Sequence, residues 1–210
     1  MKILIRNLIV TVAAGLTLLS LTSCIGIDST LAIKDDGSGT IQISYVISKL
    51  VANLGRLEET DTTVPLPVGR EDFDRTVQRT PGLVLTDYKE SEDEENVIIE
   101  AEMTFASIAS LNSFLQGNGE EVIRLEQSGG RSTLVFDIYP GREGELADSD
   151  ADVLAALFQG YSLNFVVEAP DSIQENNIGT QSTDGNSVRL ELPVSELITE
   201  NKPVTWEISW

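Results

Sequence analysis

Apolar and polar residues alternate with a period of two over much of the chain, and this alternation predicts β-strands. The clearest case flanks the sequence Asp-Asp-Gly-Ser-Gly at 35–39, where apolar residues occupy every second position on both sides. An Asp-Gly pair between two such runs predicts a β-hairpin. The hairpins predicted in this way are 27–33 with 41–47, 83–87 with 97–105 across an acidic turn at 90–96, and 122–125 with 133–139 across Gly129-Gly130. Later strands are predicted at 162–168, 187–192 and 204–210.

Apolar residues at helical spacing occur only in short pieces. The predicted helices lie at 50–57, 73–77, 108–115 and 153–158. The pattern therefore predicts an α+β fold in which antiparallel hairpins form a sheet and several short helices pack on one face. The order of elements roughly repeats, so two similar halves are predicted with a soft boundary near Gly141.

The first 23 residues have the features of a signal peptide rather than of the folded domain. Lys2 and Arg6 precede an apolar run at 8–21, and a run of about 14 residues is shorter than the roughly 20 that a spanning helix needs. The run ends in Leu21, Thr22, Ser23 and Cys24, and Cys24 is the only cysteine. The sequence thus divides into a signal peptide at 1–23 and a domain at 24–210.

The sequence Leu21-Thr22-Ser23-Cys24 resembles the lipobox of bacterial lipoproteins. The resemblance implies recognition of Leu21, Thr22 and Ser23 by a signal peptidase, cleavage before Cys24, and a diacylglyceryl group on the Cys24 sulfur, with an acyl group such as palmitate on the new amino terminus. Two or three acyl chains hold a protein stably on a membrane. A membrane in the cell envelope is therefore the predicted location. Ile25 is not the Asp that retains many such proteins at the inner membrane, which favours the outer membrane.

Charge and composition narrow the chemistry. The 14 Lys and Arg residues fall to 12 after loss of Lys2 and Arg6, against 34 Asp and Glu, so the mature chain has a formal charge of −22. Nucleic acid is an unfavourable partner for such a surface, because phosphate contacts need Lys and Arg. The chain has no histidine, which excludes Ser-His-Asp catalysis and the usual His/Cys zinc sites.

No enzyme, cofactor or metal is predicted. Carboxylates at alternate positions in 148–152 resemble the start of a calcium loop, but Val153 stands where that loop needs Gly and Gln159 where it needs Glu. A helix cap explains these residues better. The acidic run at 90–95 is also given a structural role rather than a binding role, as a solvated hairpin tip.

Six aromatic residues are candidates for lining an apolar cleft that holds an acyl chain. They are Phe136, Tyr139, Tyr161, Phe165, Trp206 and Trp210. The alternative is that they fill the core, because aromatic residues at every second position are what a buried sheet face requires.

A second resemblance covers the two ends of the mature chain. The segments "DSTLAIKDDGSGTIQISYVISKL", "GYSLNFVVEAPDSIQENNIG", "NSVRLELP" and "VTWEISW" are similar to the LppM-like domain of bacterial envelope lipoproteins. That resemblance implies an α+β envelope domain for which lipid or glycolipid binding has been considered, and it implies no catalytic residue.

Two functions remain open from the sequence. Only about four residues separate Cys24 from the first predicted strand, which span roughly 13 Å when extended. A domain held this close to its membrane is predicted to bind lipid or another amphiphile there. The alternative is a structural or assembly lipoprotein that binds envelope proteins through its acidic surface and sheet edges.

Overall fold

The computed structural model of the protein describes residues 26–49, 67, 69–115, 121–141, 153, 155–156 and 158–210. The predicted signal peptide, Cys24 and the predicted helix at 50–57 lie outside the described residues. The same holds for the partial calcium-loop sequence at 148–152 and for part of the predicted helix at 153–158.

Eleven strands and three helices lie within these ranges. The strands are β1 (Gly26–Ile33), β2 (Gly39–Ser48), β3 (Leu83–Glu92), β4 (Asn96–Phe105), β5 (Ile123–Ser128), β6 (Arg131–Tyr139), β7 (Ser162–Glu168), β8 (Glu175–Asn176), β9 (Thr180–Gln181), β10 (Ser187–Pro193) and β11 (Val204–Ser209). The helices are α1 (Arg70–Arg79), α2 (Ile108–Leu115) and α3 (Val194–Glu200). The predicted α+β class is confirmed.

The strands form two sheets. The large sheet has seven strands in the order β3-β4-β2-β1-β7-β10-β9, and the small sheet has four in the order β5-β6-β11-β8. All pairings are antiparallel except that of β1 with β7, which is parallel. Both sheets contain strands from either side of Gly141, and the predicted division into two similar halves stays a prediction.

The three predicted hairpins are confirmed, with turns that the local sequence explains. Gly37 has φ 76°, a value that glycine reaches without the steric cost of a Cβ atom. The acidic turn between β3 and β4 is held by Asp93, whose carboxylate accepts hydrogen bonds from the backbone N–H groups of Glu95 and Asn96. These bonds hold the pKa of Asp93 below its usual range, as expected for a solvated turn.

One apolar core joins both sheets and the first two helices. Alternate residues of the large sheet, such as Leu31, Ile43 and Ile99, are buried on one face. Phe73 of α1 and Leu111 of α2 are fully buried in the same cluster. The opposite face of the large sheet carries polar side chains, as expected for an antiparallel sheet with one solvated side.

Candidate functional site

The turn after β1 in the large sheet lies against the small sheet, so the two sheets share a common end there. Gly37, in the turn after β1, lies against Leu125 of β5: a Cβ atom on Gly37 would be 3.6 Å from the Leu125 Cδ2 atom. Asp35 and Trp210 line one cleft beside the same turn. We call this the Asp35 end, and the opposite end, where β1 begins, the Gly26 end.

The Gly26 end gathers the ends of several strands. Gly26 is the register partner of Ser162, which in turn pairs with Pro193. The small sheet reaches the same end through α3, which follows Pro193 and is connected to β6 by a hydrogen bond from the Tyr139 hydroxyl to Asn201 Oδ1 (2.8 Å).

Burial of the apolar face falls towards the Gly26 end on β7 and β10, but not on β2 and β4, where Tyr45, Val97 and Ile99 near that end are 1%, 1% and 0% exposed. In β7 and β10, Val167, Val188 and Leu190 are 1%, 0% and 7% exposed, whereas the residues nearer the Gly26 end on the same face are only partly buried. We call this partly buried set the open seam. Its members are Ile27, Leu163, Phe165 and Leu192 on the large sheet and Phe136 and Ile138 on the small sheet.

The open seam is a junction between the sheets. The rings of Phe136 and Phe165 meet edge to face, with centroids 5.5 Å apart, an arrangement that aromatic pairs favour. Ile27, Leu163 and Leu192 form one cross-strand row on β1, β7 and β10. The seam is therefore apolar on both sides and partly exposed.

The six aromatic residues predicted to line a ligand site separate into three groups. Phe136 and Phe165 lie in the open seam, and Tyr139 and Tyr161 lie beside it at the Gly26 end. Trp206 is 0% exposed, and its indole N–H donates to the Ile178 carbonyl oxygen at 2.9 Å, so it belongs to the sealed part of the core. Trp210 is at the Asp35 end, where it is 7% exposed, belongs to the core cluster and forms part of the wall of a polar cleft. Their role as ligand-lining residues stays a prediction.

The sequence reasoning missed the four aliphatic members of the seam. Ile27, Leu163 and Leu192 fall on predicted strands, but nothing in their spacing distinguishes them from core residues. Only their partial exposure in the folded domain sets them apart.

Two depressions in the described part of the chain are polar. A cleft of about 450 Å³ at the Asp35 end is lined by Asp35, Gly130, Ser132, Asp171, Ser172, Gln174 and Trp210. A groove of about 370 Å³ crosses the solvated face of the large sheet among Asp28, Gln42, Asp87, Lys89, Glu100 and Glu102. Gln42 donates to the Glu102 carboxylate across this groove at 3.0 Å.

The solvated face of the small sheet carries an ordered ion pair. Asp137 accepts from Arg124 at 2.7 Å and from the Thr205 hydroxyl at 2.8 Å. Burial favours the neutral acid, but the hydrogen bonds from Arg124 and Thr205 and the Arg124 charge outweigh it and hold the pKa of Asp137 below its usual range. This group connects three strands and faces away from the open seam.

Two kinds of feature are absent from the described ranges. No helix there is long and apolar enough to cross a membrane. Among the same residues, no three or more His, Cys, Asp or Glu side chains converge in a way that would hold a metal ion.

Comparison with known proteins gives one structural likeness. No protein-family model matches the chain, and no curated protein matches it. The folded domain of LppM from Mycobacterium tuberculosis, determined by NMR, is similar with a TM-score of 0.49 and 14% sequence identity, over 88% of this chain and 87% of that one.

Proposed function

We propose that this protein is a lipoprotein of the bacterial cell envelope, anchored through a diacylglyceryl group on Cys24, whose domain binds an amphiphile at the open seam. The function is binding rather than catalysis, and no cofactor takes part. The outer membrane is the proposed location, on its periplasmic or surface face.

The observation that carries this proposal is the position of the open seam relative to Cys24. Strand β1 begins at Gly26, two residues after Cys24, and two residues span at most about 7 Å. The end of the domain near which the partly exposed apolar junction lies is therefore the end held against the lipid.

The chemistry of the seam fits an acyl chain. Ligand sites are mostly apolar with a few polar groups that orient the ligand, and here Tyr139 and Tyr161 supply phenol groups at the same end of the domain as the apolar residues of both sheets. Each methylene transferred from water to such a surface contributes about 0.8 kcal/mol. An acyl chain would enter the seam while its head group stayed beside the tyrosines.

The anchor is tested by intact-mass measurement of the protein isolated from envelope membranes. We expect the mass of the chain from Cys24 onward plus a diacylglyceryl group, and loss of that mass and of membrane association in Cys24→Ser. An unmodified Cys24 in the wild-type protein would reject the anchor.

The amphiphile site is tested by native mass spectrometry of the chain from Ile25 to Trp210, purified without detergent and incubated with envelope lipids. We expect a stoichiometric lipid adduct that Phe165→Gln or Ile138→Gln reduces at least about tenfold, since each places an unpaired amide in the apolar seam. Val84→Gln is the matched control, because Val84 is 55% exposed on β3 near the Asp35 end.

Urea unfolding of each variant separates loss of binding from loss of structure. A clean apo mass for the wild-type domain, or equal adducts for all three variants, would reject the seam as the site.

The acidic, solvated face of the large sheet favours a second candidate function. Asp28, Asp87, Glu100 and Glu102 line one groove there with a single Lys89, and such a surface is complementary to a basic patch on a protein partner. In this alternative the protein is a structural or assembly lipoprotein that binds envelope proteins. Cross-linking from this face in intact cells tests it, with Glu100→Lys expected to abolish any specific product.

A further inference from the structure

Large apolar side chains are exposed at few places in the described part of the chain. They are Val84, Val153 and Phe158, with exposures of 55%, 60% and 38%. Single exposed apolar residues are common on soluble proteins. The position of Phe158 relative to the start of the chain nevertheless gives it a specific significance.

Phe158 lies at the Gly26 end, a short distance along the chain from the strand that pairs with β1. The Tyr161 backbone N–H donates to the Phe158 carbonyl oxygen at 3.1 Å, which closes a turn directly before β7. The first residue of β7, Ser162, is the register partner of Gly26, and paired strands are about 5 Å apart.

Phe158 and Tyr161 form one small aromatic surface. Their rings meet edge to face with centroids 5.7 Å apart. The turn is held to α3 by the Val194 backbone N–H, which donates to the Tyr161 carbonyl oxygen at 2.9 Å. The aromatic pair is thus fixed to the end of the large sheet, and it combines an apolar ring with a phenol, a combination suited to the boundary between lipid and water.

From these observations we infer that Phe158 and Tyr161 insert into the interfacial layer of the membrane and give the domain a fixed orientation on it, with the Gly26 end towards the lipid. This inference rests on the proposed Cys24 anchor. The occupant is the bilayer surface, because only Ile25 lies between Cys24 and Gly26, and this leaves no length of chain that would keep this end away from the lipid. The open seam would then face the surface from which an amphiphile enters.

The acidic turn between β3 and β4 sets the lipid preference. Strand β2 ends beside this turn, where the Lys49 backbone N–H donates to the Glu95 carbonyl oxygen at 2.8 Å, so Asp93, Glu94 and Glu95 project at the Gly26 end. Carboxylates near an anionic surface are repelled. The contact is therefore expected with zwitterionic lipid and is weakened by anionic lipid.

The test measures the depth of a spin label at position 158 in the full-length lipidated protein. Cys24 is the only cysteine, and in the proposed anchor its sulfur is already bonded to lipid. The variant Phe158→Cys therefore offers one free thiol for a nitroxide, and Val84→Cys places the same label at the Asp35 end as a matched control. Both proteins are reconstituted in phosphatidylcholine–phosphatidylethanolamine vesicles.

In those vesicles we expect collisions with a water-soluble nickel chelate to be at least about threefold rarer at position 158 than at position 84, as for a side chain below the head groups. Adding phosphatidylglycerol should reduce the difference. Equal nickel accessibility at the two positions would overturn the inference, and so would protection of position 158 in native envelopes but not in lipid vesicles, since a protein would then cover it.

Failure of the proposed function is distinguishable from failure of this inference. If intact mass shows no diacylglyceryl group on Cys24, the anchor is wrong and the orientation loses its basis. If the diacylglyceryl group is present and the label at position 158 is as accessible to the nickel chelate as the label at position 84, the anchor stands and the orientation is wrong.

Discussion

Asn112 shows how one buried side chain connects two elements of this fold. It is 4% exposed, and its amide accepts hydrogen bonds from the backbone N–H groups of Val122 and Ile123 and donates to the Ile123 carbonyl oxygen. The side chain of α2 thereby satisfies the backbone at the start of β5. A buried amide with three backbone partners contributes to the stability of the fold mainly because removing it would leave those partners unpaired.

We therefore expect Asn112→Leu to lower the free energy of unfolding by about 3 kcal/mol, because two buried backbone groups of Ile123 and the partly buried N–H of Val122 lose their partner. Urea unfolding measures the change. Ser113→Ala is the control on the next residue, whose exposed hydroxyl bonds only within its own helix to Ala109, and it should change stability by less than about 0.5 kcal/mol. Equal stability of the two variants would contradict this account of α2.

Asp137 gives a prediction for pH. Its pKa in the folded protein lies below its usual range, since the hydrogen bonds from Arg124 and Thr205 outweigh burial. A carboxylate with a lowered pKa contributes stability above the pKa of the unfolded chain, near 3.9, and loses it as pH falls through the lower folded value. The difference in stability between wild type and Asp137→Asn should thus be constant from pH 7 to about pH 5 and shrink below about pH 4.

Urea unfolding of both proteins across that pH range measures this difference. Because Asp137 is partly exposed, we expect the difference in stability between wild type and Asp137→Asn to be no more than about 1 kcal/mol. A difference that grows on acidification would show that the Arg124 pair does not stabilise the folded state.

At the scale of elements, the parallel pairing of β1 with β7 decides which strands lie at the Gly26 end. A Cβ atom on Gly26 would collide with the Ser162 carbonyl oxygen and would lie 3.2 Å from the Ser162 carbonyl carbon. Only glycine allows the two backbones to approach this closely. The start of β1 is therefore fixed against β7, beside the turn that carries Phe158.

We expect Gly26→Ala to cost about 1–3 kcal/mol, because the backbone of β7 must shift to make room for the methyl group. Hydrogen exchange should quicken at the start of β7 while the Asp35 end stays protected. Asp28→Ala, on the exposed face of the same strand, is the control and should change stability by less than about 0.5 kcal/mol. Unchanged exchange at Ser162 in Gly26→Ala would show that this close approach is not required.

For the whole molecule, the distance between Cys24 and the folded domain is the quantity on which the proposed function depends. β1 begins at Gly26, whereas lipoproteins that act on distant partners need long flexible linkers. A short connection and an apolar junction at the same end of the molecule both support the proposal that the domain binds lipids of the membrane to which Cys24 holds it.

Lengthening this connection tests that relation. An insert of twelve Gly and Ser residues before Gly26 has a root-mean-square span of about 19 Å and should leave the Cys24 lipid mass and membrane association unchanged. Cross-linking of a photoreactive phospholipid to the peptide containing Phe165 should fall several-fold, since the seam no longer lies at the surface. An insert of two residues is the control, and undiminished cross-linking with the long insert would reject the role of the short connection.

The sequence by itself determined most of the local structure. Period-two alternation and an Asp-Gly turn were sufficient for the first hairpin, because side chains of a strand alternate between a buried and a solvated face. The strand Ser162–Glu168 was predicted from the same alternation, and the helix α1 from the i, i+4 spacing of Phe73 and Val77. The helix α3 was missed, since its seven residues include no fully buried side chain that would reveal a periodic apolar face.

Only the tertiary structure decided which apolar residues form the open seam. Phe165 and Val167 lie on the same face of β7 and look alike in the sequence, yet only Val167 is almost fully buried. The difference comes from their contacts with other strands: Phe165 meets Phe136 of the small sheet at the partly exposed junction, whereas Val167 belongs to the buried core cluster. Burial depends on contacts between residues far apart in the chain, so a local pattern identifies the apolar face of a strand but not the part of that face left open beside the Gly26 end.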